Sequence, residues 1–317
     1  DGDISEIIQN LKLADQQAQL ASIGEGMGEP AVKGNQSWRV IDILKWGEGY
    51  FNTKGFESPK QEIEWLLCDL LNYKRIDLYV KFEQPIHKPE LIQLKKWIKR
   101  RIDREPLQYI TGKTEFYGHQ FEINPDVLIP RPETERVVDV ALHTIGNIQN
   151  PKVLEVGAGS GCIAIAIGIE KKDASILSVD VSEGAVKQAK KNADLNELEN
   201  IDFQVMDILK ETPEGPFDLL VSNPPYIPEN EMRETMPEVH RYEPKIALTD
   251  ERDGLTFYRR FSEIGKSIIK PGGWLVLEVG IGEHPSKVVG IFKTAGYTQL
   301  EIIPDYNSDE RVLKIQI

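Results

Sequence analysis

Cysteine, excess basic charge and long apolar runs are what this chain has little of. It holds two cysteines in 317 residues, Cys68 and Cys162, each in an apolar helical context and without a second Cys or a His at metal-ligand spacing. No disulfide framework or thiolate metal site is implied, and both read as core thiols. No apolar run reaches the length that crosses a bilayer, and the N-terminus lacks the basic, apolar and small-residue succession of a signal peptide. A cytoplasmic location with no membrane partner is expected. Lys and Arg number 38 against 51 Asp and Glu, a formal charge of −13, which argues against general affinity for nucleic acid backbones. One segment runs the other way: Lys95, Lys96, Lys99, Arg100, Arg101 and Arg104 are expected on one basic, solvated helix face.

What is present falls into four stretches. Residues 1–36 are an extension, in which Ile4, Ile7, Ile8, Leu11 and Leu20 pattern a short amphipathic helix and 28–36 form a Gly, Pro, Lys and Asn joint. Residues 37–104 read as a small all-helical domain. Its apolar positions recur at helical spacing in Val40, Ile41, Leu44 and Trp46, then in Ile63, Leu66, Leu67, Leu70 and Leu71 behind Ser58-Pro59, and again from Leu91 to Ile102. The domain holds no catalytic constellation, so recognition is its expected role. Residues 105–132 are a linker with a β-hairpin, expected to pair the alternating stretch 115–123 with Val127–Ile129 across the turn Asn124-Pro125-Asp126. The stiff Pro130-Arg131-Pro132 then leads into a helix beginning near Glu133, with carboxylates in its first turn.

Residues 133–317 alternate strands and helices, which predicts an α/β doubly wound sheet with ligand at the carboxyl ends of its strands. Its first strand, Lys152–Val156, runs into Gly157-Ala158-Gly159-Ser160-Gly161 and an apolar helix. Glycines there let the backbone turn sharply and approach a ligand, and the helix start presents free amides. The dinucleotide fingerprint would want a glycine where Cys162 stands, so this is a nucleotide-type cradle of another kind. Asp180 ends the second strand at the place of a ribose-binding carboxylate. Asp207-Ile208 ends the third, with one polar and one apolar group for a flat base. The fourth strand, Phe217–Ser222, delivers Asn223-Pro224-Pro225-Tyr226. Those four residues alone read equally as a tight turn or as a binding lip, because prolines stop a ladder and the Asn amide needs partners.

Glu155 to Gly161, Asp180 and Asn223 to Tyr226 together resemble class I S-adenosylmethionine-dependent methyltransferases acting on amino or amide nitrogen. The stretches 106–112, Phe116-Tyr117-Gly118, Leu128 to Glu135, Tyr242 to Leu248 and Asp253 to Arg259 narrow the resemblance to the bacterial HemK/PrmC family, the release factor glutamine methyltransferases. It covers nearly everything from Trp38 to Ile317. It implies a seven-stranded Rossmann-like methyltransferase sheet. Gly157, Ala158, Gly159, Ser160, Gly161 and Asp180 would hold S-adenosylmethionine, with Ile208 against the adenine and Asn223 bridging cofactor and substrate. Asn223, Pro224, Pro225 and Tyr226 would grip the glutamine of the Gly-Gly-Gln motif in peptide chain release factors 1 and 2, with Asn223, Pro224 and Tyr226 as the catalytic set and no metal. Two positions depart from the family pattern: Glu283 stands where a Gln is frequent, and Ile208 where an aromatic is. Residues 1–26 resemble the C-terminal tail of class I release factors, which makes Met27 the expected translation start.

The chemistry suits these residues independently. An amide nitrogen is a poor nucleophile because its lone pair is delocalised, so catalysis depends on placement. The Asn223 side-chain oxygen and the Pro224 carbonyl are acceptors for the two substrate amide hydrogens, while Pro225 stiffens the lip and Tyr226 packs against the amide. Two rivals remain: a DNA amino-methyltransferase, which needs a basic channel for a flipped base, and a non-catalytic release-factor-binding module that has kept the fold.

Overall fold

The computed structural model describes residues 38–317, so the expected amphipathic helix, the joint and the proposed start at Met27 lie outside the described residues. The chain divides into two compact units, with the boundary between Asp103 and Arg104. In the first unit, α1 (Val40–Thr53), α2 (Pro59–Leu71), α3 (Arg75–Val80) and α4 (Lys88–Ile102) bury the stripes that periodicity marks. Val40, Leu44, Ile63, Leu66, Leu67, Leu94 and Ile98 are all buried. Pro59 stands at the first position of α2, where its missing N–H costs nothing. The expected basic face is interrupted. Arg101 turns inward, with its guanidinium on Glu62 at 2.7 Å and over the Phe56 ring at 4.7 Å. Its charge is thereby spent inside the unit. Arg104 lies past the end of α4.

The second unit opens with α5 (Leu107–Thr111) and then a hairpin of β1 (Lys113–Phe116) and β2 (His119–Glu122). This corrects the expected pairing, since Val127–Ile129 form no strand. Alternation over 115–123 conceals a two-residue turn at Tyr117-Gly118, where both φ angles are positive, 53° and 75°. That geometry matches the twist of the flanking strands. Tyr117 fastens the turn, its N–H on Glu135 at 2.7 Å and its hydroxyl on Asp139 at 2.8 Å. Asn124 instead closes a local turn by accepting from the Asp126 N–H at 2.8 Å.

The predicted doubly wound sheet is present with seven strands. β3 (Lys152–Val156), β4 (Ser175–Asp180), β5 (Ile201–Val205), β6 (Phe217–Ser222) and β7 (Ile269–Glu278) run parallel, and β8 (Gln299–Pro304) and β9 (Glu310–Gln316) add an antiparallel edge. Their order is β5-β4-β3-β6-β7-β9-β8. The chain leaves β3 toward β4 on one side, while β6 lies on the other, so a crevice opens above their carboxyl ends. β7 begins at Ile269, earlier than the Lys270 to Gly273 turn suggests, and its pairing with β6 is irregular there. Between α6 (Glu135–Ile145), α7 (Cys162–Glu170) and the sheet sits one core of Val137, Val138, Ile163, Ile165, Val153 and Leu219; α11 (Thr256–Ile268) and α12 (His284–Thr294) close the other face over Leu220, Leu275 and Leu277.

α8 (Glu183–Leu195) carries the tie between hairpin and sheet. Asn192 is fully buried; it accepts from the Glu122 N–H at 2.8 Å and donates to the carbonyls of Glu122 at 2.9 Å and Ser160 at 2.8 Å. Removing a buried group that makes three bonds exposes each partner's desolvation cost. Asn192→Ala is expected to lose about 2–4 kcal/mol of unfolding free energy, read as a lower urea midpoint with an unchanged slope.

Candidate functional site

β3 is buried from Val153 to Val156 and ends where the Gly157 and Ala158 N–H groups both reach the Val179 carbonyl, at 2.8 and 3.1 Å. The loop then turns through left-handed φ at Gly157, Gly159 and Gly161. Gly159 donates its N–H to Asp180 Oδ2 at 2.9 Å, which binds the ends of two strands together. A Cβ on Gly159 would meet nothing within 4 Å, so the backbone itself faces open space. α7 starts directly behind, with Cys162 and Ile163 bordering the same space while the Ala164 N–H turns to Glu155. Ser160 Oγ is buried among these groups without a hydrogen-bond partner.

A cavity of about 520 Å³ lies against this loop. Its walls include Gly157 to Ser160, Asp180, Met206 to Leu209, Asn223, Pro224 and Pro225. Four of the five loop residues expected to cradle a cofactor therefore line it, together with Asp180 and Ile208; Gly161 does not, because its Cα faces Ile165 and Ala189 on the helix side. Asp180 is held by backbone amides of Gly159 and Ser182, and burial nonetheless raises its carboxyl above the usual range. Ile208 is buried at one end, its carbonyl accepting from Arg260 Nε at 2.8 Å. Cys162 is half-buried, packing against the core and also lining the cavity; burial pushes its thiol up to about 12.

The lip comes directly after β6, all six of whose residues are buried. Ser222 Oγ donates to the Val156 carbonyl at 2.6 Å, so the lip and the glycine loop move as one. Asn223 is half-buried, and its Nδ2 donates to Thr134 Oγ1 at 3.1 Å. Thr134 in turn donates to Glu278 Oε2 at 2.7 Å, and the Tyr226 hydroxyl reaches Glu278 Oε1 at 3.4 Å. The Tyr226 ring packs on His284, with centroids 5.7 Å apart, and does not line the cavity. Gly254 fits against this segment closely: a Cβ there would stand 2.2 Å from the Tyr226 carbonyl.

Several residues of this site carry no forewarning in the sequence. Thr134 sits in a stretch that carries the stiff prolines and part of the family resemblance but is given no role by either, and Glu278 ends an apolar strand, where a buried carboxylate has no sequence signal. Arg131 lines the cavity and is ion-paired with Glu243. Glu155 is buried beneath the loop, accepting from Ser178 Oγ and from the Ala164 N–H at 3.3 Å. Burial lifts Glu155 to about 8, against the pull of those two bonds, and Glu278 to about 7.

The contents of the cavity wall suit an adenosyl group carrying an amino acid: backbone amides and an unpartnered hydroxyl at one side, a carboxylate in the middle and an apolar end. Comparison with known proteins points to methyltransferases. The PrmC N-terminal domain family matches residues 42–112, and the methyltransferase small domain family matches residues 136–239. A release factor glutamine methyltransferase of Geobacter sulfurreducens is 39% identical over 276 residues, spanning 87% of this chain and 96% of its own. That of Bacillus subtilis is 35% identical over 285 residues, spanning 86% and 96%. The solved catalytic domain of hMettl16 shares the fold, with a TM-score of 0.54 at 16% identity over 85% of this chain and 91% of that one.

Glu155 and Glu278 have a consequence for stability. An unfolded glutamate ionises near 4.5, while folded Glu155 keeps its proton to about 8 and Glu278 to about 7. At these two groups the folded state then binds more protons than the unfolded one, so the stability they contribute is full below 4.5 and is lost as pH rises toward 8. Thermal melts across that range should show a shallower decline in Glu155→Gln; parallel curves for variant and wild type would refute the assignment.

Proposed function

The chain belongs to the release factor glutamine methyltransferase family, and on that premise we propose that it methylates the glutamine of the Gly-Gly-Gln motif in peptide chain release factors 1 and 2, using S-adenosylmethionine. Protein-(glutamine-N5) methyltransferase is its enzyme class. The observation that carries the reading is that the glycine loop and the Asn223 lip wall a single cavity, with the Asn223 NH₂ end already engaged by Thr134.

Gly157 to Ser160 and the start of α7 would hold the amino acid end of the cofactor, Asp180 the ribose hydroxyls, and Ile208 with Met206 the adenine. When bound, S-adenosylmethionine would supply an electrophilic methyl carbon for the amide nitrogen, whose displaced N–H proton would pass to water. Asn223 Oδ1 and the Pro224 carbonyl accept the two amide hydrogens and aim the nitrogen. Pro224 suits this because it offers a carbonyl without a competing N–H. Tyr226 acts from behind the wall, bracing the lip through His284 and Glu278. The site has no need of a strong base: His284 lies outside the cavity wall, and burial lowers its pKa against the opposing pull of its bond to the Gly254 carbonyl.

The helical unit, matched by the PrmC N-terminal domain family, is the proposed recognition domain for the release factor, with residues 105–132 as the linker and 133–317 as the catalytic domain. Among the described residues no helix is long and apolar enough to cross a membrane, in keeping with cytoplasmic work on translation factors. The charge of −13 favours a protein over a nucleic acid substrate.

Purified enzyme, tritiated cofactor and release factor 1 test the reading. Label is expected on the wild-type factor and absent when the Gly-Gly-Gln glutamine is changed to alanine; equal labelling of both defeats the assignment. Asn223→Ala is expected to cut kcat more than about tenfold through lost alignment while the protein stays folded.

A further inference from the structure

We propose that Thr134 and Glu278 are positioning residues that fix which end of the Asn223 side-chain amide meets the substrate glutamine. The inference rests on the function proposed above and assigns the stiff Pro130-Arg131-Pro132 segment a purpose: it delivers Thr134.

The oxygen and NH₂ ends of an asparagine amide are nearly the same in shape, so packing alone does not choose between them. Hydrogen bonds choose. Thr134 has a single hydroxyl proton, and its acceptor at 2.7 Å is Glu278 Oε2. What Thr134 then offers Asn223 is a lone pair, which only the NH₂ end can satisfy; the observed contact is Nδ2 to Oγ1 at 3.1 Å. Oδ1 is left as the acceptor for a substrate N–H. Were the amide reversed, it would present donors to the donors of the glutamine amide. Thr134 is 2% and Glu278 1% exposed, so water does not substitute for either. Three segments far apart in sequence meet here: the 3-10 turn Pro132–Thr134, the residue after β6, and the last residue of β7.

The relay depends on Glu278 being an acceptor. Around its carboxyl stand Thr134, the Tyr226 hydroxyl, Arg311 and Glu133; Arg311 is itself held by Asp305 at 3.0 Å, and the Tyr258 hydroxyl donates to the Glu278 carbonyl at 2.7 Å. Burial lifts the carboxyl to about 7, against the pull of Thr134, Arg311 and Tyr226. Once protonated it donates as well as accepts, and the direction of the relay is no longer imposed. Glutamine at this position likewise no longer imposes the direction, at any pH, because its NH₂ end can donate to Thr134 and free the Thr134 proton for Asn223 Oδ1.

Steady-state methylation of release factor 1 by the full chain at pH 8 tests this, with Thr134→Val, Thr134→Ser and Glu278→Gln beside wild type. Expected is a kcat lower by about tenfold or more in Thr134→Val and Glu278→Gln, with both KM values within about twofold and recovery in Thr134→Ser. S-adenosylhomocysteine affinity by calorimetry is expected unchanged. Wild-type kcat should fall as pH drops through about 7, a limb that Glu278→Gln lacks. Near-normal kcat in Glu278→Gln, or Thr134→Ser as slow as Thr134→Val, overturns the proposal; if Thr134→Val does not fold, Glu278→Gln against wild type decides it. No label with the wild-type enzyme overturns the function and this inference together, whereas a fast wild type with unimpaired variants overturns the inference alone.

Discussion

The parallel pairing of Val153–Val156 with Leu219–Ser222 is the constraint on which the rest depends. Two parallel strands side by side must deliver their succeeding loops to the same edge of the sheet. Because the chain leaves β3 and β6 in different connections, a crevice opens between their ends. The glycine loop and the Asn223 lip are thus neighbours for topological reasons, before any side chain is considered. Ser222 Oγ, donating to the Val156 carbonyl at 2.6 Å, then ties the two strand ends together. The loop and the lip come to wall one cavity.

Buried carboxylates do the remaining organisation. Asp180 gathers amides from Gly159 and Ser182, Glu155 lies under the loop, and Glu278 lies behind the lip. Each sets where neighbouring donors point. Such groups are expensive to bury, and their raised pKa values record that cost. The cost falls where a nitrogen with little nucleophilicity has to be aimed, which is the circumstance in which orientation outweighs acid-base strength.

Much of this is legible in the chain. β3 and β6 span the residues that their apolar runs indicate, since parallel strands buried on both faces leave a dense signal. The loop, Asp180 and the lip are legible because glycine, proline and a terminal carboxylate carry backbone meaning at fixed places. The hairpin is misread because a two-residue turn at Tyr117-Gly118 preserves alternation across it, and Tyr at left-handed φ gives no warning. Arg101 is misread because charge patterning does not say which face of a helix a partner such as Glu62 will occupy. Thr134 and Glu278 are illegible as a pair: their bond joins positions 144 residues apart, and neither type alone signals a relay.

Asn192 bears on what a minimal version of this fold contains. Its amide joins Glu122 of the hairpin to Ser160 of the cofactor loop, and Gln188 Nε2 adds a second bond to the Glu122 carbonyl at 2.7 Å. A fragment cut at residue 133, where the helix into the sheet begins, would keep the whole cradle in sequence and lose the splint that holds it. The hairpin is better regarded as scaffolding for the cofactor loop than as tether, and a transplant of that loop onto another sheet has to carry residues 113–122 with it.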